Sequence, residues 1–196
     1  MKNFNWENRI REWSKQRIEL LEDYQKEDLP QEVLESNFLG YPGATEEEIK
    51  VTESRLGVTF PNSYREFLKT ANGLRPICKY GFEFCGTEDI VWYAPDHQAW
   101  VDELMESWNE PVTDEEYFVY GKEQSDYNFR PEYLQTALEI SSEDMGYIFL
   151  FNPQVTVIDD EWEVWFCSFS TAFGIYRYRS FDEMMQEVLN DPEFLL

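Results

Sequence analysis

Apolar positions in this chain follow helical spacing near both ends and strand-like alternation in between. Trp6, Ile10, Trp13, Leu20, Leu21 and Tyr24 line one side of a predicted helix from Asn3 to Gln25, with the aliphatic stem of Arg17 lying along the stripe. A connector from Lys26 to Gly40 follows, with a helical turn after Pro30. Gly43 to Gly73 predicts two short amphipathic helices. Thr45 and Glu48 form a capping box at the start of the first, Ile49, Thr52 and Leu56 share a face, and Gly57 ends it in a left-handed turn. Val58 and Phe60 lead to Pro61, which suits the first turn of the second helix because it has no N–H to leave unpaired. There Tyr64, Phe67, Leu68 and Ala71 recur at i, i+3, i+4 and i+7, and Asn72-Gly73 is a stop signal.

Beyond Gly73 the period shortens. Ile77–Cys85 alternates with aromatics around Gly81, a position for a bulge or bend. Thr87–Ala94 reads as a turn entering a strand or helix. Pro95–Trp108 predicts a helix through Trp100, Leu104 and Trp108, Asn109–Asp114 a loop, and Tyr117–Tyr120 a short strand. Glu123–Pro131 is a polar connection and Leu138–Ile140 a brief strand. Tyr147–Phe151 is apolar throughout, as in a strand covered on both faces. Asn152-Pro153 ends it, and Val155–Ile158 resumes after a turn. Trp162–Phe169 alternates, with Trp162, Val164 and Phe166 opposite Glu163, Trp165 and Cys167. Ile175–Tyr178 adds a strand, and Ser180 with Glu183 caps a helix whose stripe is Phe181, Met184, Met185, Val188 and Leu189. The order predicts an α+β fold: a mostly antiparallel twisted sheet flanked by helices, with an extra N-terminal helix.

Charge sharpens this picture. The 196 residues hold 40 Asp plus Glu against 16 Lys plus Arg, a net charge of −24. Such a field repels phosphate backbones and anionic lipid surfaces, which argues against nucleic-acid and membrane partners, and it attracts basic ones. Acidity also keeps a protein soluble, so it does not by itself name a partner. No apolar run is long enough to cross a bilayer, and the charged N-terminus lacks the apolar centre of a signal peptide, so a cytoplasmic location is expected. Cys78, Cys85 and Cys167 have neither zinc nor redox-pair spacing and are expected to be free thiols.

Catalytic chemistry finds little footing. His97 is the sole histidine and has no nucleophile motif beside it. Glycine-rich phosphate loops are absent, so no cofactor is implied. Glu46–Glu48, Asp114–Glu116 and Asp159–Glu161 are dense in carboxylates without EF-hand spacing; solvated faces or helix starts explain them, and no metal site is implied. Acids next to aromatics also compose interface anchors. On that ground Asp114, Glu115, Glu116 and Tyr117, and Asp159, Asp160, Glu161 and Trp162, are candidate partner contacts, with Tyr117 and Trp162 as the anchors.

One resemblance bears on function. Thr45, Glu48, Ile49, Glu53, Leu56, Gly57, Phe60, Pro61, Tyr64, Phe67, Leu68, Asn72 and Gly73 resemble, in order and spacing, the opening motif of the Smi1/Knr-type family of the SUKH superfamily. The similarity continues through MGYIFLFNP, EWEVWFCSF and GIYRYRSFDEMMQEVL, covering about Tyr41 to Leu189. Residues 1–40 would then be an N-terminal helical extension and 41–196 the family domain. The resemblance implies a non-enzymatic immunity protein that occludes a cognate bacterial toxin, often a basic nuclease. The alternative it implies is a regulatory or scaffolding module docking through the tryptophan-bearing first helix. A small hydrolase is a third reading. Monomer and homodimer both remain open.

Overall fold

The computed structural model describes residues 5–75, 83–108, 111–143, 146–169 and 174–191. The chain opens with α1 (Trp6–Leu20), capped by the Asn5 side chain accepting from the Asn8 N–H at 3.2 Å. It ends five residues before the predicted Gln25, because Leu21 turns extended and Glu22 starts a new capping box with Gln25 for α2 (Asp23–Glu27). The buried stripe is therefore Trp6, Ile10, Trp13, Ser14, Arg17 and Ile18, while Leu20 and Tyr24, expected on that stripe, are 47% and 66% exposed. Arg17 is enclosed whole rather than by its stem alone. Pro30 precedes α3 (Gln31–Ser36), which stops at left-handed Asn37. Trp6 packs its ring against Phe67 and Phe181 at 5.5 and 5.7 Å, so this helix shares one core with the rest of the chain.

Strand β1 (Gly40–Pro42) leads into α4 (Glu46–Leu56), with the Thr45–Glu48 capping box and left-handed Gly57 in place. α5 (Asn62–Thr70) follows Pro61 and buries Tyr64, Phe67 and Leu68. Asn72-Gly73 does more than stop a helix, since it lies inside β2 (Ala71–Leu74), antiparallel to β1. Most of the predicted Ile77–Cys85 strand, including Cys78 and Gly81, lies outside the described residues; at its described end Phe84 bridges Leu74 and Ser141.

Next come β3 (Val91–Trp92), α6 (Ala94–Ser107), α7 (Asp114–Tyr117) and β4 (Leu138–Glu139). The strand expected at Tyr117–Tyr120 is absent: a Thr113–Glu116 capping box draws the acidic run into a helical turn that Tyr117 closes. β5 (Tyr147–Ile158) runs on through Asn152-Pro153, contrary to the expected break. The register with its partner shifts between Asn152 and Thr156, and the proline is tolerated in that irregular stretch. β6 (Glu161–Ser168), β7 (Gly174–Tyr178) and α8 (Phe181–Asn190) complete the chain. Ser180 caps α8, but Glu183 reaches back to the Arg179 N–H at 2.7 Å, not to that of Ser180, so the predicted box is displaced by one residue.

β3 to β7 form an antiparallel sheet in sequence order, covered on both faces. On one face α1, α4, α5 and α8 bury Phe149, Phe151, Val164 and Tyr178. On the other, α6 and a 3₁₀ segment at Pro131–Thr136 bury Ile148, Leu150, Trp165 and Cys167. The alternation read in β6 is this two-sidedness. The outer edge of β7 is closed by Gln124, whose side-chain amide pairs with both the N–H and the carbonyl of Arg177 at 2.7 and 3.1 Å, and by the Asp126 carbonyl, which accepts from the Ile175 N–H at 2.9 Å.

Candidate partner-binding surface

The acidic runs singled out in the sequence divide by burial. Asp114 and Glu115 are exposed on α7, Asp114 pairing with Arg130 at 2.5 Å. Glu116 is exposed, and its carboxyl is held below the usual range by the Thr113 N–H and hydroxyl that donate to it. Tyr117 is fully buried and gives its hydroxyl to Glu163 at 2.6 Å, so it cannot serve as a surface anchor. Asp159 and Asp160 form the exposed tip of the β5–β6 hairpin, Asp159 in a left-handed conformation. Glu161 is buried and accepts from the Ser63 N–H and hydroxyl, closing the N-terminus of α5. Trp162 is half-buried against Phe60 and Phe151, with ring centroids 6.2 and 5.6 Å away, which makes it mainly core. Glu161 and Tyr117 thus hold the fold, and five carboxylates remain presented.

Glu163 is the deepest of these carboxylates. It receives Tyr117, Tyr120, the Asn152 amide and the Trp165 indole at 2.6, 2.8, 2.9 and 2.6 Å. Glu163 is fully buried, and these four donors supply its hydrogen bonds in place of water. The Arg177 guanidinium lies 4.4 Å from the Tyr117 ring and donates to the Tyr117 and Val119 carbonyls, fastening the segment after α7 to β7.

α6 gathers what the sequence reading passed over. Its charged residues are Asp96, Asp102, Glu103 and Glu106, all exposed, with no lysine or arginine in the helix. Two of them sit near the helix C-terminus, where the macrodipole disfavours negative charge. That local conflict, together with the absence of a compensating cation, was legible in the sequence. A cleft of about 540 Å³ lies between β1, β2 and β4, lined by Glu83, Glu88, Asp89 and Glu139 with Tyr41 and Cys85, and Glu139 links it to His97 on α6. These acids come from distant parts of the sequence, so only the fold brings them together.

Burial first, then Asp96 and Glu143, pushes the Glu139 carboxyl up to about 7, and His97 Nε2 stands 3.6 Å from it. His97 stacks on Tyr93 at 4.2 Å. Burial raises the Cys85 thiol to about 12, helped by Asp89, Glu139 and Glu83, so it stays protonated and a poor nucleophile. Among the described residues no three His, Cys, Asp or Glu side chains converge as a metal site requires. Nor, among them, is any helix long and apolar enough to cross a membrane.

The opening motif also has a geometry. Glu53, buried in α4, accepts from the Phe60 N–H at 2.7 Å and from Arg65 at 2.5 Å, closing the Gly57–Pro61 turn against α5. Asn72 receives the Thr87 N–H at 2.8 Å and gives its amide to the Thr87 hydroxyl at 3.3 Å. Gly73, at φ +93°, lies so close to the Phe84 carbonyl that a Cβ would meet it at 2.5 Å. The model of the SMI1 / KNR4 family (SUKH-1) matches residues 43–187. The chain belongs to the SMI1/KNR4 family. The match begins just ahead of α4 and ends within α8, so it spans the motif, the sheet and α6. A relative from Bacillus subtilis (strain 168), named "Uncharacterized protein YnaB", is 44% identical over 50 residues, 26% of this chain and 33% of that protein. The chain thus aligns with about a third of that relative.

Proposed function

We propose that this protein is a cytoplasmic, non-enzymatic immunity protein that neutralises a cognate bacterial toxin by covering its basic cleft in a stoichiometric complex. It comes from a family that includes immunity proteins. The observation that carries the proposal is the α6 face, where four exposed carboxylates without a lysine or arginine run from Asp96 to Glu106, a span of about 15 Å. A one-sign surface of this kind accelerates capture of a basic partner. Asp114, Glu115 and Glu116 extend the acidic surface on α7; Asp159 and Asp160 form a separate acidic tip.

The scaffold alternative drew on α1 as a docking element. The burial of Trp6 and Trp13 in the core leaves that alternative without one. Growth of cells producing bacterial toxin domains, with and without this protein, tests the reading. Rescue by the wild type and loss of rescue with the combined Asp102→Lys, Glu103→Lys, Glu106→Lys variant are expected. Equal rescue by both would place the interface elsewhere, and no rescue by the wild type would contradict the function. Glu161 is excluded from such charge reversals because it caps α5.

A further inference from the structure

The C-terminal end of α6 carries a socket of about 280 Å³, lined mainly by apolar residues with Arg130 and Glu132 beside them. Met105 and Trp108 come from α6 and its end, Val112 from the link to α7, and Phe129 and Pro131 from the segment before β4. The Trp108 and Phe129 rings form the floor, with centroids 4.5 Å apart and planes inclined by 55°. Met105 stands at the mouth, 40% exposed, on a side chain flexible enough to fit an incoming group. Small-molecule sites usually enclose about 300–1,000 Å³, so this volume suits one side chain better than a ligand.

The charge around the socket selects the chain that would deliver it. Arg130 is the one cation among the lining residues, and it is fully engaged: the Val112 carbonyl accepts from it at 3.0 and 3.3 Å, the Tyr133 hydroxyl at 3.3 Å and Asp114 at 2.5 Å. With that cation paired to Asp114, Glu132 in the lining leaves the site with an excess of negative charge, within a chain whose net charge is −24. A hollow lined mainly by apolar side chains, with an excess acid at its side, suits an interface built around a single anchor.

We propose that this socket seats one aromatic or branched aliphatic side chain of the basic partner, on a loop whose lysines or arginines meet the surrounding carboxylates. The proposal rests on the toxin-binding reading and adds to it where release is controlled. Charge on α6 governs how fast the partner arrives, and the anchor governs how slowly it leaves.

The test is binding of the full chain to the toxin domain, comparing wild type with Met105→Trp, which fills the mouth, and Met105→Ala. Matching melting temperatures would show that both variants fold. Met105→Trp is expected to raise the Kd at least about tenfold, through faster dissociation, with the salt dependence of association unchanged. In the wild type, the ¹³C-methyl signal of Met105 should shift on complex formation, and those of buried Met184 and Met185 should stay in place. A Kd within about twofold of wild type, or an unmoved Met105 signal, overturns the socket proposal. If the α6 charge reversals still weaken binding in that case, the toxin-binding reading stands without the socket. Failure of the wild type to bind the toxin overturns both.

Discussion

Glu53 closes a turn with a single carboxylate, holding the Phe60 N–H and the Arg65 guanidinium at once. Glu53→Ala leaves the buried Phe60 N–H without its acceptor and Arg65 with Glu46 alone, and should cost about 2–3 kcal/mol, read as a lower urea midpoint at unchanged slope. Glu47→Ala, exposed in the first turn of the same helix, should change stability by less than about 0.5 kcal/mol. Glu139 makes the opposite kind of contribution. Its folded-state value of about 7 lies above the ordinary carboxylate value, so the folded chain holds a proton that the unfolded chain releases. That contribution is complete below about pH 4.5 and is lost as pH rises through 7. Burial is the largest cause, followed by Asp96 and Glu143, with His97 Nε2 3.6 Å away and Glu83, Glu88 and Asp89 lining the same cleft. Glu139→Gln should therefore raise the melting temperature at pH 8 relative to wild type, with the gain shrinking toward pH 5. An equal difference at both pH values would contradict the assignment. In the sequence, Glu53 stands out only as a motif position, Glu161 only as part of an acidic run, and Glu163 only by its place in an alternating strand. Their roles depend on burial and on partners that the fold supplies, Ser63 for Glu161 from 98 positions away and Tyr117 for Glu163 from 46.

Local signals were reliable where one stretch of chain decides its own conformation. The Thr45 capping box, left-handed Gly57 and the α8 stripe stand as read, as do Tyr64, Phe67 and Leu68 of the α5 stripe, whereas Ala71 opens β2. Signals failed where tertiary partners outweigh propensity. Tyr117 has strand-forming preferences, yet the Thr113 box and the bond to Glu163 place it at the end of a helical turn. Asn152-Pro153 resembles a strand terminator, but long pairing with β6 on both sides of an irregular stretch carries β5 through it. The first helix was legible as a helix, whereas its far end was not, since Leu20 and Tyr24 satisfy the spacing and still face solvent. α1 belongs to the family domain's core through Trp6 on Phe67 and Phe181, although the family match starts only at residue 43. Trp6→Ala should accordingly cost about 3–5 kcal/mol, a core-sized loss visible in thermal unfolding. A loss below about 1 kcal/mol would make α1 a loosely docked appendage instead.

At the scale of the molecule, the net charge of −24 raised the question of a basic partner without locating its site. The two acidic runs chosen for their density supply five exposed carboxylates; the fold adds the α6 face and the cleft assembled from Glu83, Glu88, Asp89 and Glu139. No spacing in the sequence could have joined those four, because β2, the Phe84 bridge and β4 must first come together. A surface of one sign acts over a Debye length, about 10 Å at 0.1 M salt, so its clearest signature is kinetic. The most direct measurement is the association rate with the toxin domain, by stopped flow, between about 50 and 500 mM salt for wild type and the Asp102→Lys, Glu103→Lys, Glu106→Lys variant. The wild-type rate should fall at least about tenfold over that range, and the variant should start slower with a flatter dependence. A wild-type rate indifferent to salt, or a variant indistinguishable from wild type, would contradict capture through the acidic α6 face.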